Sequence, residues 1–404
     1  MKILMVNKFY YIKGGSETYL FALKELLEGK EHKIIPFSMK DDKNFNTEYE
    51  KYFIDNIDYS NMNFFQKLKG ASKIIYNFQA KRYIRKLIRD EKPDIAHLHI
   101  FQHQISPSIL GEIKRAGIPI VYTVHDLKCI CLNYKMLNNG VVCEACKERR
   151  YYKCFFNKCV KNSRFKSLIN VIEGYFHKIN KSYDNIDKYI TPSKFYKQKL
   201  IEFGINENKI EYIPNFVDIK NFEFSKKREG YFIYLGRLSE EKGIKTLLDS
   251  MKEVKKAKLK IIGTGALINE LKNYKEDNKL NNVEFLGFKT GEELKYIIAK
   301  SMFVVIPSEW YENCPMSVIE AMSMGKPIIG ADIGGIPELI NKKCGLIFKT
   351  GDSKDLARKI NLLLNSEDLI DKFSINARKE VEEKYSSKSH LKKIEAVYSE
   401  LLSR

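Results

Sequence analysis

Residues 302–338, MFVVIPSEWYENCPMSVIEAMSMGKPIIGADIGGIPE, leave few architectures open to this chain. The apolar runs 302–306 and 327–330 read as buried strands, and Val318, Ile319 and Met322 between them share one helical face. Strand, loop, helix and strand in so short a stretch make a crossover unit of a parallel sheet. Pro315 fits the first helical position, where its missing N–H costs nothing. The N–H groups of Met316 and Ser317 are then expected to point outward as an anion site. Glu312 stands in the loop ahead of this helix and Glu320 in its second turn, so both carboxylates are expected at one crevice. Asp332-Ile-Gly-Gly-Ile-Pro-Glu338 adds a Gly-Gly turn after the next strand, where backbone can approach a ligand closely.

The alternation extends in both directions. Strands are expected at 231–236, 259–262, 283–286 and 345–348 beside the two above, and at 2–7, 32–38, 93–99, 118–124 and 186–191 in the first half. A chain of 404 residues exceeds one core, so the class is α/β with two doubly wound parallel-sheet domains. Strand 2–7 leads through Gly14-Gly15 to a helix that Ser16 is expected to cap; the spacing is not that of a dinucleotide fingerprint. Strand 231–236 ends in Gly236-Arg237, followed by Lys242-Gly243, which offers a planar fork and a point charge to a diphosphate. Gly263-Thr264-Gly265 follows another strand. Three histidines, His97, His99 and His125, fall at the carboxyl ends of strands, where ligands of open α/β sheets sit.

On these residues the chain resembles the retaining glycosyltransferases of family 4, which have the GT-B fold. The resemblance rests on Glu312 and Glu320 within SEWYENCPMSVIEAMSMGKPII and on the segment from Gly236 to Gly243. It covers nearly the whole chain and is strongest over residues 230–338. It implies two Rossmann-like domains facing a central cleft: 1–214 on the acceptor side, 215–384 holding the nucleotide sugar, and a helix at 385–404 crossing back. Glu320 would then hold the ribose hydroxyls and Glu312 would lie beside the sugar. Gly14 and Gly15 would line the cleft, and Gly236, Gly263 and Gly265 would lie against the nucleotide. His125, in T-V-H-D, would stand close to donor sugar and acceptor, with His97 and His99 read as structural. Arg237, Lys242 and the dipole of the helix after Pro315 would stabilise the departing diphosphate. The implied reaction moves a sugar from a nucleotide sugar, a UDP-sugar, to a hydroxyl of a glycan or lipid-linked acceptor in cell-surface polysaccharide synthesis. It keeps the anomeric configuration and requires no cofactor for catalysis. Two rivals stand beside it, a nucleotide-sugar epimerase of the same architecture and a basic zinc-containing nucleic-acid-binding protein. The pair Glu312 and Glu320 favours the transferase over both, so no nucleic-acid partner is expected.

The net charge of +19 asks for an anionic partner. Part of it lies in segment 64–92. There Phe64, Leu68, Ala71, Ile75 and Phe78 share one helical face, while Ile84, Leu87 and Ile88 fall opposite, so two helices with a break at 79–82 are expected. The face of Lys81, Arg82, Arg85, Lys86 and Arg89 suits a helix on an anionic membrane surface and equally a sheet-covering helix with a solvated side. No apolar run approaches the ~20 residues of a membrane span. The expected location is therefore the cytoplasm, peripheral to the inner face of the membrane.

Six of the eight cysteines fall between 129 and 159 and interrupt the doubly wound pattern. Cys143-Glu-Ala-Cys146 has a chelating spacing, and Cys131 and Cys159 flank it. A structural zinc on these four, with Cys129 or Cys154 substituting for one, is the expectation. The alternative is an insertion of reduced cysteines packed by Tyr151, Tyr152, Phe155 and Phe156.

Overall fold

The computed structural model of the chain describes residues 1–56, 70 and 72–404. It divides into two compact units, the first made of residues 1–138, 143–213 and 391–404 and the second of residues 139–142 and 214–390.

In chain order the first eight strands are β1 (Lys2–Val6), β2 (Lys33–Phe37), β3 (Ile95–Leu98), β4 (Ile120–Thr123), β5 (Leu137–Asn138), β6 (Val141–Val142), β7 (Lys188–Thr191) and β8 (Ile210–Tyr212). Six of them build the sheet of unit 1 in the order β2-β1-β3-β4-β7-β8, each neighbouring pair parallel. The strands are short and apolar on both faces because helices cover both sides. The three-residue strand β8 is not visible in the pattern of the sequence, where it reads as the way out of the domain. Short β5 and β6 flank Asn139 and Gly140, whose positive φ angles are those of a primed hairpin turn.

The second sheet holds β9 (Tyr231–Leu235), β10 (Lys258–Ile262), β11 (Val283–Gly287), β12 (Val304–Ile306), β13 (Ile328–Ala331) and β14 (Gly345–Phe348). Its order is β11-β10-β9-β12-β13-β14, all parallel. Alternate residues of β9 serve opposite cores. Phe232 and Tyr234 pack with Leu247, Leu248, Leu356 and Ile360, whereas Tyr231 and Ile233 pack with Val318, Met322, Ala377 and Val381. The strand order reverses between β9 and β12, the place where an open α/β sheet leaves a crevice at its carboxyl edge. The expected α/β class with two doubly wound parallel sheets holds in full.

Several local expectations shift. Gly14, not Ser16, is the N-cap of helix Gly15–Glu28; the Ser16 hydroxyl donates instead to Glu17 at 3.1 Å. The break in the basic segment falls at Tyr76 and Asn77, earlier than 79–82, because the Asn77 side chain caps helix Phe78–Glu91 by accepting from Ala80 N–H at 3.0 Å. The apolar face expected on Phe64, Leu68 and Ala71 lies outside the described residues. In helix Phe78–Glu91, Ala80, Ile84 and Leu87 are fully buried within unit 1. Lys81 and Arg85 both reach the buried Glu112 carboxylate, at 3.4 and 2.9 Å, and Arg115 reaches it at 2.6 Å. The helix thus buries Ala80, Ile84 and Leu87 within unit 1, against helix Leu110–Arg115 and the turn Pro107–Ile109, with Arg82, Lys86 and Arg89 left at the surface. Among the described residues no helix is long and apolar enough to cross a membrane.

Candidate functional site

Four loops at the carboxyl edge of the second sheet interlock through glycine. Gly263 has φ +133°, and a Cβ there would stand 1.9 Å from the Gly236 carbonyl oxygen; one on Gly265 would stand 2.1 Å from that of Leu238. Gly236 N–H donates to Ile262 at 3.0 Å and Leu238 N–H to Thr264 at 2.9 Å, so the exits of β9 and β10 lie backbone against backbone. Gly243, at φ +64°, would place a Cβ 1.9 Å from the Pro307 carbonyl, which presses the β9 loop against the β12 loop as well.

Lys242 and Glu312 meet across that second junction. The Lys242 ammonium donates to Glu312 Oε1 at 2.6 Å, and the Ser308 hydroxyl donates to the same oxygen at 2.7 Å. Burial raises the Glu312 carboxyl's pKa, but the neighbouring ammonium and these bonds outweigh it and hold the group below the ordinary carboxylate range. The Lys242 ammonium also lies 5.0 Å from the centre of the Trp310 ring. Gly335 N–H donates to the Glu312 carbonyl at 2.8 Å, fixing the loop from the β13 side. Arg237 is more exposed, and its guanidinium stands 3.3 Å from the buried Glu241 carboxylate.

Pro315 is the N-cap, at φ −64° and ψ 123°, and helix Met316–Ser323 starts one residue later than the sequence reading had it. Val318 N–H returns to the Pro315 carbonyl at 3.1 Å, whereas those of Met316 and Ser317 enter no hydrogen bond among the described residues. Glu320 lies in the second turn. Burial alone raises its pKa, and among the described residues its carboxylate has no ion pair and no hydrogen-bonding side chain. A half-buried carboxylate without a protein partner among the described residues is costly, and that cost singles the position out.

In unit 1 the carboxyl ends of β1, β3 and β4 carry a second polar cluster. His99 Nδ1 and His125 Nε2 are 3.0 Å apart, so one ring donates to the other, and the Tyr19 ring packs edge-on to His125 at 5.1 Å. His97 is structural: its nitrogens meet Tyr398 at 2.6 Å and Thr123 at 2.7 Å. Lys8, Glu17 and Asp126 join the cluster, which sequence reading missed although Lys8 and Asp126 closely follow strand ends; Glu17 comes from the first turn of helix Gly15–Glu28. Burial lowers the Lys8 pKa to about 8, and burial raises that of Asp126. Gly14 and Gly15 are exposed; Gly14 is extended at φ −170°, so its backbone does not demand glycine.

Burial pushes the His125 imidazole down to about 3, and burial together with His97 and His125 pushes His99 well below 6.5. Both rings are neutral in the folded protein at pH 7. The unfolded chain takes up these protons first, so stability is full above about pH 6.5 and is lost as pH falls below it, by about 1.4 kcal/mol per pH unit for each ring. Urea unfolding should give a clearly lower midpoint at pH 5.5 than at pH 7.5. A flat midpoint would contradict the neutral pair.

Of the insertion's cysteines, Cys131, Cys143, Cys146, Cys154 and Cys159 line one small cavity. Cys129, expected as a substitute ligand, instead lines a different cavity of about 270 Å³ beside Tyr183 and Tyr189. Among the described residues no three His, Cys, Asp or Glu side chains form a ready metal cage.

The sequence model described as Glycosyltransferase Family 4 matches residues 13–221, more than half of the chain. The chain belongs to glycosyltransferase family 4. The model for glycosyl transferases group 1 matches residues 216–380, so the two descriptions together span both units of this family 4 chain. An uncharacterized glycosyltransferase of Methanocaldococcus jannaschii is 26% identical to it over 404 residues, covering 99% of each chain. The UDP-Gal:alpha-D-GlcNAc-diphosphoundecaprenol alpha-1,3-galactosyltransferase of Escherichia coli is 27% identical over 343 residues, 78% of each. Among solved structures, that of Anabaena HepE in complex with UDP superposes with a TM-score of 0.69 at 18% identity, covering 99% of this chain and 100% of that one. The fold of this family 4 chain is accordingly GT-B and its activity that of a glycosyltransferase.

Proposed function

We propose that the chain transfers a sugar from UDP to a hydroxyl of a glycan or lipid-linked acceptor, with retention at the anomeric carbon, in the synthesis of a surface polysaccharide. The observation that carries this reading is Glu320, a half-buried carboxylate with no partner among the described residues, one turn inside a helix whose first N–H groups are likewise unbonded among them. A carboxylate there suits two vicinal ribose hydroxyls, which supply the donors it lacks. The free N–H groups of Met316 and Ser317 suit the diphosphate.

In the transfer, the bond from the anomeric carbon to the phosphate oxygen breaks, one to the acceptor oxygen forms on the same face, and the acceptor's hydroxyl proton passes to the departing phosphate oxygen. Negative charge gathers on the departing UDP, and Lys242, Arg237 and the helix N-terminus are the positive groups at this edge. Glu312 holds the Lys242 ammonium in place. On the acceptor side we assign His125, with its tautomer fixed by His99. The names of relatives support the donor and acceptor classes: the Escherichia coli enzyme is named for a UDP-galactose donor and a diphosphoundecaprenol-linked acceptor, and the HepE structure holds UDP. A lipid-linked acceptor also gives a use to the surface cations Arg82, Lys86 and Arg89, each worth about 1 kcal/mol beside anionic headgroups.

A thermal-shift screen of nucleoside diphosphates should single out UDP, with about 2.7 kcal/mol of stabilisation at 100 times its dissociation constant. Proton NMR of the product formed from the matching UDP-sugar should show the donor's anomeric configuration kept. An inverted product would overturn retention, and conversion of the sugar nucleotide with no acceptor present would favour the epimerase.

A further inference from the structure

The cysteine cavity asks what holds residues 129–159 together. Cys131 comes from the loop after β4, Cys143 follows β6, and Cys146 opens the turn Lys147–Arg149. Cys154 lies in helix Tyr152–Phe156 and Cys159 just beyond it. All five surround a space of about 10 Å³, closed by Leu132, Asn133 and Leu137. The backbone around it is wound tightly. Of the sixteen non-glycine residues with positive φ among the described residues, eight lie between 134 and 162: Tyr134, Met136, Asn139, Glu148, Arg149, Lys158, Lys161 and Asn162. Such conformations persist only where the surroundings over-determine them.

Apolar packing supplies little of that determination. One buried cluster joins Leu132, Cys146 and Cys154 of the insertion to Val171 of helix Arg164–Ile179, with Tyr151, Phe155 and Tyr175 partly covering it. Tyr152 and Phe156, the other two aromatics available to pack it, are 47% and 69% exposed. Three of the six buried residues between 129 and 159, Cys131, Cys146 and Cys154, are cysteines, beside Ile130, Leu132 and Met136, and a segment so built is the kind that a cross-link or an ion stabilises. Every cysteine in it is a free thiol.

We propose that Cys131, Cys143, Cys146 and Cys159 hold one structural zinc ion. Cys143-x-x-Cys146 supplies the chelating pair, and Cys131 and Cys159 line the same cavity. Cys154, 1% exposed, is the fifth sulfur. It is hydrogen-bonded to Cys159 and acts as a donor to that ligand rather than as a ligand itself. Among the described residues the four thiols surround the cavity without forming a cage, and the staggered rotamers of cysteine give each sulfur alternative positions from which to close on an ion. In closing, Cys131 gives up its 3.1 Å contact with Asn133 Oδ1. Four sulfurs leave no open position for water, so the ion stabilises the insertion and takes no part in sugar transfer.

The full chain, purified under reducing conditions without added metal, should carry about one zinc per chain by elemental analysis. Cys143→Ser with Cys146→Ser should lower that at least tenfold, whereas Cys154→Ser should keep it. Because the double variant can lose its fold, cobalt substitution of the unmodified chain gives a second readout: the intense ligand-field and sulfur-to-cobalt charge-transfer absorption of a tetrahedral four-thiolate site. A folded, zinc-free wild type, or cobalt bound without that spectrum, overturns the proposal. Loss of zinc in Cys154→Ser with retention in Cys159→Ser overturns the assignment of the fourth ligand.

Discussion

Replacing Lys242 by methionine is expected to lower sugar-transfer turnover by about 10²–10³-fold, the usual effect of deleting one positioned group that stabilises developing charge. The same change leaves Glu312 buried without its partner, at a cost of about 3 kcal/mol or more in stability. The two effects separate in a double variant. With Lys242→Met and Glu312→Gln together neither charge remains, the Ser308 hydroxyl still has an oxygen to bond, and most of the lost stability should return. Turnover should stay low, because the cation facing the diphosphate is still missing. Chemical denaturation and steady-state assays on the three variants decide it. If activity returned together with stability in the double variant, Lys242 would serve only to hold Glu312.

That pairing also shows where sequence reading stops. The alternation of short apolar runs with helical stripes specified two parallel doubly wound sheets, because strands buried on both faces must be apolar throughout. Glycines after β9 and β10 were legible as close backbone approaches, and the Cβ positions at Gly263 and Gly265 give the physical reason. The Lys242–Glu312 contact spans 70 residues, and no local pattern encodes it. The same holds for His99, whose place beside His125 depends on the pairing of β3 with β4, and for Cys129, which leaves the cluster although its spacing resembles that of its neighbours. Local competition explains the smaller shifts. Pro315 satisfies a cap as well as a first helical residue, Ser16 prefers the Glu17 carboxylate to the helix N–H groups, and Asn77 stops a helix that apolar periodicity alone would have carried further. The basic helix was open between a membrane surface and a sheet; the burial of Ala80, Ile84 and Leu87 and the three cations on Glu112 tie it to unit 1, while Arg82, Lys86 and Arg89 stay at the surface.

The central claim is that Glu320 binds the ribose of a nucleotide, and its energetics differ from those of Glu312. Glu312 is compensated by Lys242 and Ser308, whereas burial raises the Glu320 pKa with no protein group to offset it. Glu320→Ala should therefore fold at least as stably as the wild type, since removing a half-buried carboxylate with no partner among the described residues relieves a cost. It should lose binding, because two ribose hydroxyls lose their acceptor, at about 1–3 kcal/mol or roughly 5- to 150-fold in Kd. Glu320→Gln, which keeps one acceptor oxygen but no charge, should fall between the two. The most direct measurement is titration calorimetry of UDP into folded wild type and folded Glu320→Ala at the same pH. The account predicts a Kd at least about fivefold weaker for the variant; equal affinity for UDP in the two proteins would contradict it.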